Sequence, residues 1–167
     1  MTVATDLVAP MRADTFRALL RHQAATVTVV TAPGAPPAGF TATSFTSVSL
    51  HPPLVSFCLN RGSSSWPAVA RAGHVAVHLL DEGQQEVAGI FATSGIDRFA
   101  AYGRVQPGPY GVPLLEGAVA RMVCRVTARV PAGDHVVVLA EPLFGEQEPG
   151  GRPLLYHQGR YAGLTHD

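Results

Sequence analysis

The pattern that narrows the fold most is a series of short β-branched and apolar runs, divided by connectors rich in glycine and proline. Val27, Val29 and Thr31 alternate with Thr28 and Val30, and residues 53–59, 74–80, 118–130 and 135–144 have the same character. β-Branched side chains are stiff about χ1 and fit a pleated surface, so each run predicts a strand. "TAPGAPPAG", "QPGPYGVP" and "EQEPGGRP" read as loops between them. Helices are expected only over 13–22, with Phe16, Leu19 and Leu20 on one face and Asp14 as its cap, and near 65–72 and 84–92. Many strands, few short helices and hairpin spacing around "VPAGDH" predict a mainly β chain, an antiparallel barrel closed or nearly closed. No GxGxxG joins a strand to a helix, which sets a Rossmann unit aside.

With 167 residues and 47% apolar content the chain is the size of one domain with one sizeable core. Residues 1–12 read as a loosely held tail and 13–167 as that domain. Twelve basic and twelve acidic side chains cancel, so no global field draws in nucleic acid or an anionic membrane, and a small partner is expected. No apolar run approaches the roughly 20 residues of a bilayer span, and the N-terminus lacks a basic start before a long apolar stretch, which predicts a cytoplasmic protein. Cys58 and Cys124 lie in apolar runs without CxxC spacing and read as buried, reduced thiols.

Against this background "GFTATSFTSVSL", residues 39–50, places many hydroxyls between two oily stretches. As a strand, residues 39–43 put Gly39, Thr41 and Thr43 on one face and Phe40 and Ala42 on the other. Past Ser44 the alternation breaks, and Ser47 and Ser49 run into "HPP", which predicts a hydroxyl-rich loop. Such hydroxyls either satisfy their own turns or line a surface for a polar ligand, and the run by itself allows both. Downstream, in "LNRGSSSWPAVARAG", Ser63, Ser64 and Ser65 are natural N-caps and Pro67 suits a first helical turn. Plain capping and a phosphate site both fit this turn, with Arg61 and Arg98 available as charge for a dianion. Trp66 reads as packing at the helix start.

Other chemistries fail on geometry. His74 and His78 in "HVAVH" would stand about 13 Å apart on a strand, too far for one metal ion, so no metal site is expected. No GxSxG elbow precedes a helix, and Asp134 and His135 are expected on opposite faces of a strand, which argues against a hydrolase.

Taken together, "AATVTVVTA", "GFTATSFTSVSLHPPLVSFCLNRGSSSW", "VAVHLLDEGQQEVAGIFA" with "DRF", "GVPLLEGAVARMVCRV", "AGDHVVVLAEP" and "PLLYHQGRY" resemble, in order and spacing, the flavin reductase-like proteins. These are small reductase components of two-component flavin-dependent monooxygenases, built on the FMN-binding split barrel of Greek-key type. The resemblance implies a flavin, FMN or FAD, held by Thr41, Ala42, Thr43, Ser44, Ser47, Val48 and Ser49, with its phosphate at Asn60, Ser63, Ser64 and Ser65. It adds Arg98 and Tyr161 to the cofactor set. His135 matches the family histidine on the nicotinamide side, so NADH or NADPH is the implied electron donor. A homodimer and a monooxygenase that receives reduced flavin are implied as partners. A tight flavin carrier for electron transfer and a non-enzymatic split-barrel module that binds haem, another ligand or a partner protein remain the alternatives.

Overall fold

The computed structural model describes residues 9–165; the first eight of the twelve residues read as a tail lie outside it. In chain order the elements are α1 (Ala13–Leu20), β1 (Ala25–Thr26), β2 (Thr28–Ala32), β3 (Ala38–Ala42), β4 (Thr46–Leu50) and β5 (Pro53–Asn60). Then come α2 (Trp66–Arg71), β6 (His74–Leu79), α3 (Gln85–Ala92), α4 (Arg98–Tyr102), β7 (Val105–Pro107) and β8 (Pro113–Leu115). The long hairpin of β9 (Ala120–Ala132) and β10 (His135–Gln147) precedes β11 (Leu155–His157) and β12 (Arg160–Ala162). No helix among the described residues is long and apolar enough to cross a membrane.

Seven strands form one antiparallel sheet in the order β3-β2-β6-β9-β10-β5-β4. β3 and β4 follow each other in the chain yet occupy its two edges, joined only by residues 43–45. So short a link forces the sheet to curl until its edges meet. At this seam Ser44, within the link, is tied to β5: its hydroxyl accepts from the Cys58 N–H at 2.8 Å and donates to the Cys58 carbonyl at 3.3 Å. The barrel anticipated from the strand pattern is therefore present, with its β3 and β4 edges joined by this link and not by a ladder.

β2 is buried along its whole length because both of its faces are covered. Val30 and Ala32 join Phe40, Phe57, Val77 and Val138 inside the barrel, while Val27 and Val29 join Leu80, Phe91, Leu115 and Leu154 in a second core under α3. Phe57 and Phe91 are wholly buried, each stabilising by roughly 2–3 kcal/mol through apolar area removed from water. Thr28 and Thr31 tolerate the same burial because their hydroxyls donate to Ala42 O at 2.8 Å and Pro113 O at 2.6 Å. His78, fully buried on β6, receives the Leu115 N–H on Nε2 at 3.0 Å, so Nδ1 carries the proton and donates to Val29 O at 3.0 Å. Desolvation drives its pKa down to about 4.

Several expectations need correction. α1 stops at Leu20, and its N-cap is Arg12 without a side-chain cap bond; Asp14 sits inside the first turn, accepting from the Thr15 N–H and pairing with Arg12. Its apolar face is arranged as expected, yet Phe16, Leu19 and Leu20 are all exposed. Residues 46–50 form an edge strand rather than a loop, since Pro53 needs no donor as the first residue of β5 and pairs with Leu50 across the turn. Cys124 is buried, and burial pushes its thiol up to about 12, whereas Cys58 is only half-buried.

Candidate functional site

The hydroxyl run divides into two parts. At the β3 end, Thr41 donates to Ala88 O on α3 at 2.7 Å. Gly39 lies so close beneath the helices that an added Cβ would stand 2.8 Å from Phe91 Cε1 and 3.1 Å from Phe99 Cζ. α3 and α4 thus roof this stretch, and the Thr41 hydroxyl serves the fold. Ala42 points into the barrel core, and the Ser44 hydroxyl closes the seam. At the β4 end, Thr43, Ser47 and Val48 are exposed and Ser49 half-buried on the edge strand. A bulge between Ser47 and Ser49 leaves Val48 outside the pairing with β5. The open hydroxyl surface is therefore Thr43, Ser47 and Ser49, beside a strand edge with unpaired backbone groups.

The Asn60–Ser65 turn is held from within. Asn60 Oδ1 accepts from the Gly62 N–H at 2.7 Å, and Ser63 Oγ from the Ser65 N–H at 3.2 Å. Ser65 occupies the N-cap position of α2 but its hydroxyl does not cap it. It is buried instead, donating to Gly39 O and accepting from Arg98 Nη1, both at 3.2 Å. Arg98 also donates from Nη1 to Gly39 O at 2.6 Å and from Nε to Thr93 O at 2.8 Å, and its burial lowers its pKa from the ordinary value. One guanidinium thereby fastens β3, the serine turn and the α3–α4 connection, while Ser64 stays exposed and Ser63 half-buried. Arg61 does not serve this turn: its guanidinium donates to Gly133 O and its N–H to Asp134 O at 3.0 Å. Trp66 packs against the barrel core, as its position at the helix start suggested.

His135 opens β10 directly opposite Asn60, and in the next pairs of the register Val137 lies opposite Cys58 and Leu139 opposite Ser56. Directly opposed residues share a sheet face, so the imidazole, the Asn60 amide and the Cys58 thiol stand on one outer surface. Asp134 is not across the sheet. It belongs to the two-residue turn with Gly133, which takes φ 61°, and its Oδ1 meets His135 Nδ1 at 2.6 Å. That bond, with the charge of the imidazole, lowers the Asp134 pKa. The sequence pattern missed the pair because a turn residue does not obey strand alternation.

Tyr161 lies apart from these groups. It stands against Tyr156 and lines a separate cleft of about 720 Å³ with Arg21, His22 and Arg160. A further cleft of about 480 Å³ adjoins Ser64 and Arg98. Among the described residues no group of three His, Cys, Asp or Glu side chains converges to hold a metal ion. What the Ser44–Cys58 bonds and the Asn60–His135 pair bring together is the start of the hydroxyl run, the serine turn and a carboxylate-bound histidine, while Ser47 and Ser49 continue along β5 opposite Val55 and Leu54. Such a surface suits a flat ligand with a polar edge and an anionic tail, not a nucleophilic reaction.

The family described as "Flavin reductase like domain" matches residues 20–165. The chain is 45% identical over 154 residues to the NADH:FMN oxidoreductase of Rhodococcus erythropolis, covering 89% of this chain and 80% of the relative. It is 34% identical over 166 residues to the flavin-dependent monooxygenase reductase subunit HsaB of Rhodococcus jostii, covering 99% and 83%. Among solved structures, the NADH:FAD oxidoreductase of Streptomyces globisporus, in complex with NAD and FAD fragments, superposes with a TM-score of 0.89 at 34% identity, covering 98% of this chain and 99% of that one.

Proposed function

The chain belongs to the flavin reductase-like domain family, and from that premise we propose how its residues carry out NAD(P)H-dependent reduction of FMN or FAD. A bound flavin supplies the hydride acceptor; the protein supplies position. Thr43, Ser47, Ser49 and the open edge of β4 present donors to the polar edge of the ring. Thr41, Ala42 and Ser44 shape that edge from behind, through α3, the barrel core and the seam. Ser63 and Ser64 meet the phosphate, and Ser65 with Arg98 holds their turn in place. The donor stacks on the side of His135, whose Nδ1 is fixed by Asp134 so that Nε2 is presented to it. The observation that supports this reading is that the Ser44–Cys58 bonds and the Asn60–His135 pair set the start of the hydroxyl run, the serine turn and the histidine beside the same end of β5.

A monooxygenase component that takes up the reduced flavin is part of the proposal, supported by the likeness to a monooxygenase reductase subunit. Pairing of two copies is also part of it. The uncovered face of α1 supports that pairing, as does Tyr161, which lines a cleft away from the edge strand of its own chain. Steady-state oxidation of NADH and NADPH with FMN, FAD and riboflavin tests the reading. Turnover that depends on added flavin is expected. A flavin that stays bound through gel filtration, with no response to added flavin, would instead mark an electron carrier, and absence of both binding and turnover a binding module.

A further inference from the structure

The sheet by itself does not hold the tip of the hairpin that carries His135. β9 is laddered to β6 only over Ala120–Arg125, and β10 to β5 only from His135 to Ala140, so the Gly133–Asp134 turn projects past both ladders. Arg61, the residue after the last of β5, reaches it there. Its N–H donates to Asp134 O at 3.0 Å, which extends the β5 side by one bond, and its guanidinium donates to Gly133 O. Both carbonyls of the turn are thus taken by one residue. Arg61 has a fixed base for this: the Gly62 N–H donates to Asn60 Oδ1 at 2.7 Å, the Ser63 N–H to Asn60 O at 3.0 Å and the Trp66 N–H to Ser63 O at 3.0 Å.

The bond between Asp134 and His135 does not orient the imidazole unaided. The two side chains are 82% and 44% exposed, and an ion pair so open to water restrains its partners weakly. The His135 hydrogen bond and charge, with a smaller pull from Arg61, hold Asp134 below the usual carboxylate range, so it stays an acceptor. Where that acceptor stands is set by the backbone of the turn, in which Gly133 takes φ 61°. Glycine has the widest choice of backbone angles, so the shape of the turn depends on what holds its carbonyls.

We propose that Arg61 is a positioning residue for flavin reduction: it clamps the Gly133–Asp134 turn to the serine turn and so sets the His135 imidazole on the donor side. The proposal rests on the flavin reductase reading and adds to it a residue that acts through Asp134 and His135 without touching flavin or donor. The guanidinium is the part a substitution tests, since the backbone N–H survives it.

Arg61→Met and Arg61→Gln are each made in the wild-type chain and in His135→Ala. Reduction of FMN by NADH is followed in stopped flow, beside fluorescence titration with FMN. In the wild-type background the rate at saturating NADH is expected to fall about five-fold while FMN affinity stays within about twofold. In the His135→Ala background the same substitutions are expected to change that rate by less than about twofold, because the clamp has nothing left to position. A merely structural arginine would lower both backgrounds alike, so an undiminished loss in His135→Ala overturns the proposal, as does an unchanged rate in the wild-type background. A loss of FMN affinity that matches or exceeds the loss of rate gives Arg61 to the flavin phosphate and overturns it too. Retained FMN affinity certifies the fold of each variant, and Arg61→Gln carries the comparison if Arg61→Met does not fold. If wild type oxidises neither NADH nor NADPH with any flavin, the functional reading falls first; if it turns over and the two backgrounds respond alike, only the clamp falls.

Discussion

His78 gives the structure a pH dependence whose size follows from its surroundings. It is fully buried, and both ring nitrogens are used by the backbone, Nδ1 donating to Val29 O and Nε2 accepting from the Leu115 N–H. A proton added to Nε2 would turn an acceptor into a donor facing another donor, in a fully buried site. Desolvation by burial, with a smaller contribution from the Arg121 charge, depresses the folded pKa from 6.5 to about 4. In the unfolded chain the same imidazole takes up a proton near pH 6.5, so between the two values the unfolded state binds more protons and stability rises with pH. The contribution is whole above about pH 6.5 and is lost as pH falls toward 4. A difference of about 2.5 units at 1.36 kcal/mol each corresponds to about 3 kcal/mol, a large fraction of an ordinary domain's stability. Urea denaturation at a series of pH values from 7.5 to 4.5, for wild type and His78→Gln, isolates this group from the other titrating residues. Gln offers a donor and an acceptor but no ionisation, so His78→Gln is expected to be less stable at pH 7.5 yet to lose about 2.5 kcal/mol less than wild type by pH 4.5. Equal pH slopes for the two proteins would refute the linkage.

His135→Ala is expected to slow flavin reduction by NADH in stopped flow while FMN affinity, read by fluorescence, stays within about threefold; Asp134→Asn should give a smaller loss of the same kind, since it frees His135 without removing it. Loss of flavin affinity with normal reduction of what remains bound would place the donor elsewhere. Ser64→Ala is expected to weaken FMN but not riboflavin by about 1.5 kcal/mol, the value of one hydrogen bond to a charged group. Ser65→Ala, which removes a buried partner of Gly39 O and Arg98, should lower the melting temperature and weaken both flavins alike. A phosphate-selective effect of Ser65→Ala would reverse the roles given to the two serines.

The long strands were legible because burial writes itself into β-branched runs such as 27–31, 74–79 and 135–140, whatever their partners. β1 and β11 were not, since Ala25–Thr26 becomes a strand only through pairing with Leu155–Tyr156, far along the chain and two residues long. α4 escaped for the same reason: five residues show no helical period, and its signals are Asp97, which accepts from the Ala100 N–H at 3.0 Å, and Gly103 at φ 75°.

Within the hydroxyl run, composition announced a function without dividing the labour. Thr41 and Thr43 are alike in type and in strand parity, yet one meets the Ala88 carbonyl under α3 and the other faces solvent. What separates them is the docking of a helix more than forty residues downstream, and a sequence motif contains no term for that contact. The same holds for Asp134, whose place in a turn rather than a strand turns a residue expected across the sheet into the partner of His135. Hydroxyls and carboxylates in a motif therefore fall into two sets, those that close the barrel and those left facing outward. Hydrogen-bond satisfaction decides the set: Thr41, Ser44 and Ser65 already donate to backbone carbonyls, so Thr43, Ser47, Ser49, Ser63 and Ser64 are the ones whose hydroxyl protons are open to a ligand without a cost to the fold.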